Sequence, residues 1–137
     1  ALKVHQPTIA DPIDVLAKVG GLDIAGLVGV YIAAAKHGKV VVIDGFIAAA
    51  AALVAYKLAP ITKAYMIASH LSKEAGMALI LQHIGLEPHF NLDMRLGEGS
   101  GCPILFNLLD MAQYTLLGMG TFEDAGVDKS NYMHIWK

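Results

Sequence analysis

Lys39-Val40-Val41-Val42-Ile43-Asp44-Gly45-Phe46 is the stretch on which the fold turns. Four successive β-branched residues after a lysine form a short run of the kind buried on both faces of a parallel sheet, so residues 39–43 are expected to be a strand. The run stops abruptly at Asp44-Gly45-Phe46. An alanine-rich segment over 46–58 follows and predicts a helix ended by Pro60. A second short strand is expected at 64–68, delivering the polar loop Ser69-His70-Leu71-Ser72-Lys73. A helix over about 74–84 comes next, stopped by Gly85 and then Pro88. Strand, loop and helix in repetition is the βαβ rhythm, which predicts an α/β fold: a parallel sheet flanked by helices, Rossmann-like, with right-handed crossovers.

In open sheets of this kind ligands bind beyond the carboxyl ends of the strands. Asp44 therefore stands where a substrate hydroxyl or amide could be held. It stands equally well to cap the helix over 46–58, and the two roles are compatible. The loop from Ser69 to Lys73 brings two hydroxyls, an imidazole and an amine to the end of the second strand, as a contact loop or a simple turn.

Upstream, Asp11-Pro12 is a helix start, an N-cap acid followed by proline at the first helical position. A short helix through Ile13, Leu16 and Val19 is interrupted by Gly20-Gly21. Asp23 begins a longer one, ending near His37-Gly38. Gly26, Gly29 and Ala33 lie on roughly one face of it, a small-residue stripe suited to close packing.

Downstream, residues 87–96 are expected to be extended or loop. They lead to Asp93-Met94-Arg95-Leu96-Gly97-Glu98-Gly99-Ser100-Gly101, which contains the chain's one arginine. Gly97 and Gly99 can take positive φ on either side of Glu98, so this carboxylate can be presented to a ligand. Ser100 or Gly101 is expected to cap a helix through 104–117 whose free N–H groups would suit an anionic group. The spacing departs from the dinucleotide fingerprint, because Cys102 stands where its third glycine belongs. Cys102 is read as a small packing residue, although its place near a helix N-terminus could lower its pKa. Trp136 and Ile135 could dock the mixed tail over 121–137.

The chain has 137 residues, 55% hydrophobic and 16% charged, with a mean hydropathy of +0.53. One domain of this size can bury a sizeable core, but so few charges leave apolar surface that must be covered. The longest uncharged apolar runs, 24–35 and 45–56, are 12 residues each. They are too short to span a bilayer and read as buried helices. A net charge of −2 offers no basic footprint for nucleic acid. The one cysteine excludes an internal disulfide and fits a reducing cytoplasm. Six histidines show no ligand spacing, so no metal is expected. The first residues lack a signal-peptide layout and an initiating methionine, and the chain is expected to be a piece of something longer.

Four stretches resemble the carboxyl-terminal part of the nicotinate-nucleotide:dimethylbenzimidazole phosphoribosyltransferase family: residues 11–21, 40–47, 68–72 and 94–101, the last being the most specific. The resemblance covers nearly the whole chain in order. It implies phosphoribosyl transfer from nicotinate mononucleotide to 5,6-dimethylbenzimidazole, giving α-ribazole phosphate for the lower ligand of cobalamin, with small-molecule substrates and no cofactor. Glu98 matches the family's general base, which takes the ring N–H proton of the benzimidazole. Burial against apolar walls would raise its pKa toward that task. Asp44, Gly45, Phe46, Ser69 and Ser72 match the ribose-phosphate side of the cleft, with Gly97 and Gly99 beside the base, and Leu96 would lie against the flat ring. Family enzymes are longer, and their amino-terminal half carries a glycine-rich phosphate loop. The resemblance thus implies one carboxyl-terminal catalytic fragment over 1–137. It is expected to form a homo-oligomer or join a missing amino-terminal half, and to be silent alone. The same chemistry on a purine or phenol, or a non-catalytic interaction domain, are the competing readings.

Overall fold

The computed structural model describes residues 1–127 and 130. They divide into two compact units, the second beginning at Phe106. In the first unit the elements are α1 (Leu2–His5), α2 (Pro12–Val19), α3 (Leu22–Lys36), β1 (Val41–Ile43), α4 (Phe46–Leu58), a 3₁₀ helix (Pro60–Tyr65), β2 (Met66–Ala68) and α5 (Met77–Ile84). The last helix, α6 (Gly101–Gly118), starts in this unit and supplies the helical part of the second.

The two strands pair in parallel, with Val41 opposite Met66, Val42 opposite Ile67 and Ile43 opposite Ala68. The expected α/β architecture is present, as a small sheet in a helix-rich frame. Both strands are two residues shorter than the sequence suggests. Lys39 and Val40 lie exposed ahead of β1, and Pro60 starts the 3₁₀ helix that occupies positions 64 and 65. A proline at the first position of such a turn has its φ already set, which lets the chain reverse tightly before extending. Beyond β2 the parallel alignment continues at one bridge, His70 with Phe90. There Leu71 N–H donates to Phe90 O at 2.9 Å, so the segment after α5 runs as an incipient third strand.

Helix boundaries follow local chemistry. Asp11 accepts from Ile13 N–H and Asp14 N–H with Pro12 at the first position, as expected. Gly20 and Gly21 separate α2 from α3, and α3 starts at Leu22, one residue before Asp23. Helix α5 starts three residues later than position 74. Gly76 lies flush against the Phe46 ring, where a Cβ would come within 2.5 Å of Cε2, and residues 74–76 form a turn instead.

The core is alanine-rich on one side and aliphatic on the other. Ala49, Ala51, Ala52 and Ala55 of α4 pack with Ile43, Met77, Leu81 and Ile84, all fully enclosed. Small residues let α4 lie close to both the sheet and α5. Of the two apolar runs, α4 is the buried helix anticipated, whereas α3 buries only Val28 and Tyr31. The Gly26 and Gly29 stripe is not packed by anything described: a Cβ at either position would meet nothing within 4 Å.

In the second unit α6 continues to Gly118, with Tyr114 and Leu117 about three-quarters exposed. Thr121 and Asp124 then close a turn, each side chain bonded to the other's backbone N–H. The docking expected of Ile135 and Trp136 lies outside the described residues. Among those described, no helix is long and apolar enough to cross a membrane.

Candidate functional site

At the carboxyl ends of the strands a cleft of about 540 Å³ opens, entirely within the first unit. A larger groove of about 770 Å³ runs past Leu2, Ile9, Val15 and Leu53. Its lining is mainly aliphatic, without converging carboxylates, so the smaller cleft is the candidate for chemistry.

Asp44, Gly45 and Phe46 line the cleft where β1 gives way to α4, and Gly97, Glu98 and Gly99 line it from the opposite lip. The three lip residues are consecutive left-handed positions, with φ of 74°, 57° and 72°. Glycine adopts that conformation freely, but a glutamate does so at a cost of about 1 kcal/mol. The strain is held by Asp44. Its Oδ2 accepts from Gly99 N–H at 3.2 Å and its Oδ1 from Gly101 N–H at 2.8 Å.

These two bonds revise two expectations. Asp44 does not cap the helix that follows it; α4 has Gly45 at its N-cap and no side-chain cap. It caps α6, some 57 residues away in sequence. Gly99 and Gly101 N–H therefore already have an anion, and the start of α6 is not a vacant anion site. Ser100, the other cap candidate, has a buried Oγ with no hydrogen bond.

Ser69 lies beneath the cleft rather than on it. It is fully buried, and its Oγ lies 2.7 Å from Ile43 O, 3.2 Å from Asp44 O and 3.0 Å from His70 Nδ1. Ser72 does line the cleft, with a buried Oγ that makes no hydrogen bond of ordinary geometry. Its hydroxyl still acts on Glu74, whose exposed carboxyl is held below the usual carboxylate range first by Ser72 and then by its own backbone N–H. Leu96 is 76% exposed and is not among the cleft-lining residues. Glu98 is exposed as well, so among the described residues no apolar wall encloses it.

Cys102 fits the reading as a packing residue rather than the alternative of a lowered thiol. Its thiol is pushed up by burial and then by the Asp44 charge, not lowered by the helix end. Since Asp44 already sits on that helix end, the cysteine meets a carboxylate rather than open N–H groups. Burial, then the charges of Cys102 and Asp44, raise Tyr31 likewise; its hydroxyl donates to Ala48 O at 3.2 Å.

Six cleft-lining residues were not named as site residues from the sequence: the apolar Leu27, Ile47 and Ala48, and the polar His70, Glu74 and Arg95, of which His70 was noted only as part of the loop. Arg95 carried a signal as the one arginine of the chain, two residues from the left-handed turn. His70 sits between two serines already singled out, and only the pairing with Phe90 reveals that it turns inward. Among the described residues no cluster of three or more potential metal ligands occurs.

A cleft with a carboxylate on its lip, an arginine and a buried hydroxyl suits a small polar substrate handled by proton transfer. Comparison with known proteins agrees in kind. A family model described as phosphoribosyltransferase matches residues 1–127. A nicotinate-nucleotide:dimethylbenzimidazole phosphoribosyltransferase from Desulforudis audaxviator is 52% identical over 130 residues, covering 95% of this chain and 37% of its own. One from Clostridium acetobutylicum is 50% identical over 128 residues, covering 93% and 36%. The crystal structure of the same-named enzyme from Thermus thermophilus superposes with a TM-score of 0.80 at 40% identity, over 88% of this chain and 36% of that one. The chain thus spans little more than a third of the length of the relatives it matches.

Proposed function

The chain belongs to the nicotinate-nucleotide:dimethylbenzimidazole phosphoribosyltransferase family, and from that premise we propose that it forms the base-bearing wall of an active site. That site transfers phosphoribose from nicotinate mononucleotide to 5,6-dimethylbenzimidazole. The observation that carries the proposal is Glu98, raised on three left-handed residues at the lip of the cleft and held there by Asp44.

In the proposed reaction a benzimidazole nitrogen attacks C1′ of the nucleotide. The C1′–N bond to nicotinate breaks, and the pyridine nitrogen keeps its electron pair. Nicotinate leaves readily because that nitrogen was cationic, so the enzyme must chiefly position the partners and accept one proton. Glu98 takes the azole N–H proton, and the product is α-ribazole phosphate. A carboxylate is a weak base toward an azole in water, and a covering apolar wall that excludes solvent would bring the two acidities closer.

We propose further that the 137 residues act as one carboxyl-terminal catalytic part, in the cytoplasm. The open lip and the exposed apolar faces of α3 and α6 would be covered by a second copy or by an amino-terminal partner segment. The exposure of Leu22, Val30, Tyr114 and Leu117 supports this, since apolar surface of that extent favours association.

The test is an assay for α-ribazole phosphate from nicotinate mononucleotide and dimethylbenzimidazole. It is run on the chain alone and on the chain fused behind the amino-terminal portion of a relative, with sedimentation of both. Product from the fusion, with little from an associated isolated chain, is expected. A fusion that folds and binds nucleotide without turnover would overturn the catalytic reading.

A further inference from the structure

Arg95 is the chain's one arginine, and it lines the cleft from the same lip as Glu98, three residues before it. The backbone on both sides of it is anchored: Lys73 N–H donates to Met94 O at 3.2 Å, and Gly99 N–H donates to Asp44 at 3.2 Å. The side chain is not tied down. Ion pairs among the described residues join Lys18 to Asp14 and Lys73 to Asp93, and neither involves Arg95.

This holds although carboxylates stand close by in the chain and around the cleft. Asp93, two residues away, is taken by Lys73 at 3.3 Å. Asp44 is taken by the backbone N–H groups of Gly99 and Gly101. Glu74 is held by Ser72 and by its own backbone N–H. Glu98 forms no ion pair with Arg95 among the described residues. The guanidinium therefore keeps its charge for a group brought in from outside. Its planar fork of donors matches a carboxylate in two parallel hydrogen bonds, a fit that the point charge of a lysine does not reproduce.

The nucleotide of the proposed reaction carries two anionic groups, the carboxylate on its pyridine ring and the phosphate on C5′. Glu98 takes its proton from the base that attacks C1′, so Glu98 marks the C1′ end of the nucleotide. Three residues of chain span at most about 11 Å, which keeps Arg95 near that end. The pyridine ring hangs from C1′, whereas the phosphate lies at the far side of the ribose.

We propose that Arg95 is a specificity-determining residue that grips the ring carboxylate of nicotinate mononucleotide and selects it over the corresponding amide, nicotinamide mononucleotide. The amide is neutral, and its NH₂ group turns donors toward donors, so it loses both the charge and one of the two bonds. The assignment rests on the phosphoribosyl reading of the cleft.

Titration of the full chain with each nucleotide, followed at the Gly97 and Gly99 amide resonances, tests the assignment. The parent is expected to bind nicotinate mononucleotide about tenfold more tightly than nicotinamide mononucleotide, as one hydrogen bond between charged groups provides. Arg95 is exposed, so its replacement leaves the core undisturbed. Arg95→Met should weaken the nicotinate nucleotide to the level of the amide and leave the amide's affinity as it was. Arg95→Lys, which keeps the charge without the fork, should retain only part of the preference. Ribose 5-phosphate, which has the phosphate and no ring, should bind the parent and Arg95→Met equally. A loss of ribose 5-phosphate binding in Arg95→Met would assign the arginine to the phosphate and overturn the proposal. Equal affinity of the parent for the two nucleotides, or a preference that survives in Arg95→Met, would overturn it and leave the nucleotide reading intact. No response to either nucleotide or to ribose 5-phosphate would overturn that reading and the proposal with it.

Discussion

The carboxylate of Asp44, at the end of β1, accepts the backbone N–H of Gly101 at 2.8 Å and so caps a helix 57 residues further along the chain. The companion bond to Gly99 N–H at 3.2 Å fixes the turn that carries Glu98. A hydrogen bond to a charged acceptor contributes about 1.5 to 3 kcal/mol, and two here share one carboxylate. Asp44→Ala should therefore lower unfolding stability by about 2 kcal/mol, with Asp44→Asn, which keeps one acceptor, losing about half as much. Urea unfolding measures the loss, and faster exchange of the Gly99 and Gly101 amide protons should accompany it. Unchanged exchange at both glycines would mean that Asp44 does not hold the turn.

Glu98→Gln preserves shape and removes the proton acceptor. In an active form containing the chain, kcat should fall by on the order of 10² to 10⁴ with little change in nucleotide affinity. Turnover within a few-fold of the parent would remove Glu98 from its role.

Gly101 has no room for a side chain. A Cβ there would clash with His70 Nδ1 and come within 2.8 Å of Ser69 Oγ. Gly101→Ala should destabilise the protein by about 1 to 3 kcal/mol and displace the His70 ring. Gly26→Ala and Gly29→Ala, in the open stripe of α3, should each stabilise the isolated chain by about 0.5 to 1 kcal/mol, because alanine orders a helix at less entropic cost. Thermal unfolding of the three variants would separate the cases, and a stabilising Gly101→Ala would contradict the packing described.

Cys102 should react slowly. Its thiol is raised above the ordinary value of 9.0 by burial and by Asp44, so the thiolate is scarce at neutral pH. The rate of alkylation by iodoacetamide should still be climbing above pH 9. A plateau below pH 8 would indicate the low-pKa cysteine that a free helix N-terminus produces.

Asp14 accepts Thr8 N–H at 2.7 Å and pairs with Lys18 at 2.9 Å, tying the segment before α2 to that helix. Its carboxyl is lowered from 3.8, first by Thr8 N–H and then by Lys18. A depressed carboxyl stabilises the fold above its unfolded value, and that contribution disappears as pH falls through the lower folded value. The Thr8 amide resonance should therefore titrate with a midpoint below 3.8. A midpoint at or above 3.8 would refute the tie.

Much of the frame is legible locally. Val41, Val42 and Ile43 are stiff at χ1 and follow one another in a run, so a buried strand is written in their chemistry. Asp11-Pro12, Gly20-Gly21 and Gly85 announce helix ends because capping and left-handed turns depend on the residues at those positions themselves. Gly97 and Gly99 announce the turn around Glu98 for the same reason.

The tertiary structure decided what those groups face. Asp44 precedes a helix whose start it could cap, and nothing within a dozen residues of it reveals that a helix 57 positions away takes the carboxylate. Ser69 looks like a cleft hydroxyl until the pairing of β1 with β2 puts Ile43 O against it. His70 becomes a cleft residue only when Phe90 returns beside it. Cys102 is raised rather than lowered because the fold buries its thiol and, second, delivers the Asp44 charge to its helix end. Backbone conformation depends on side chains within a few residues, so sequence determined the cores of the strands, the glycine turns and the local Asp11 cap. Hydrogen bonding and electrostatics depend on distance in space, so the partners of Asp44, Ser69 and His70 were settled only when the chain closed on itself.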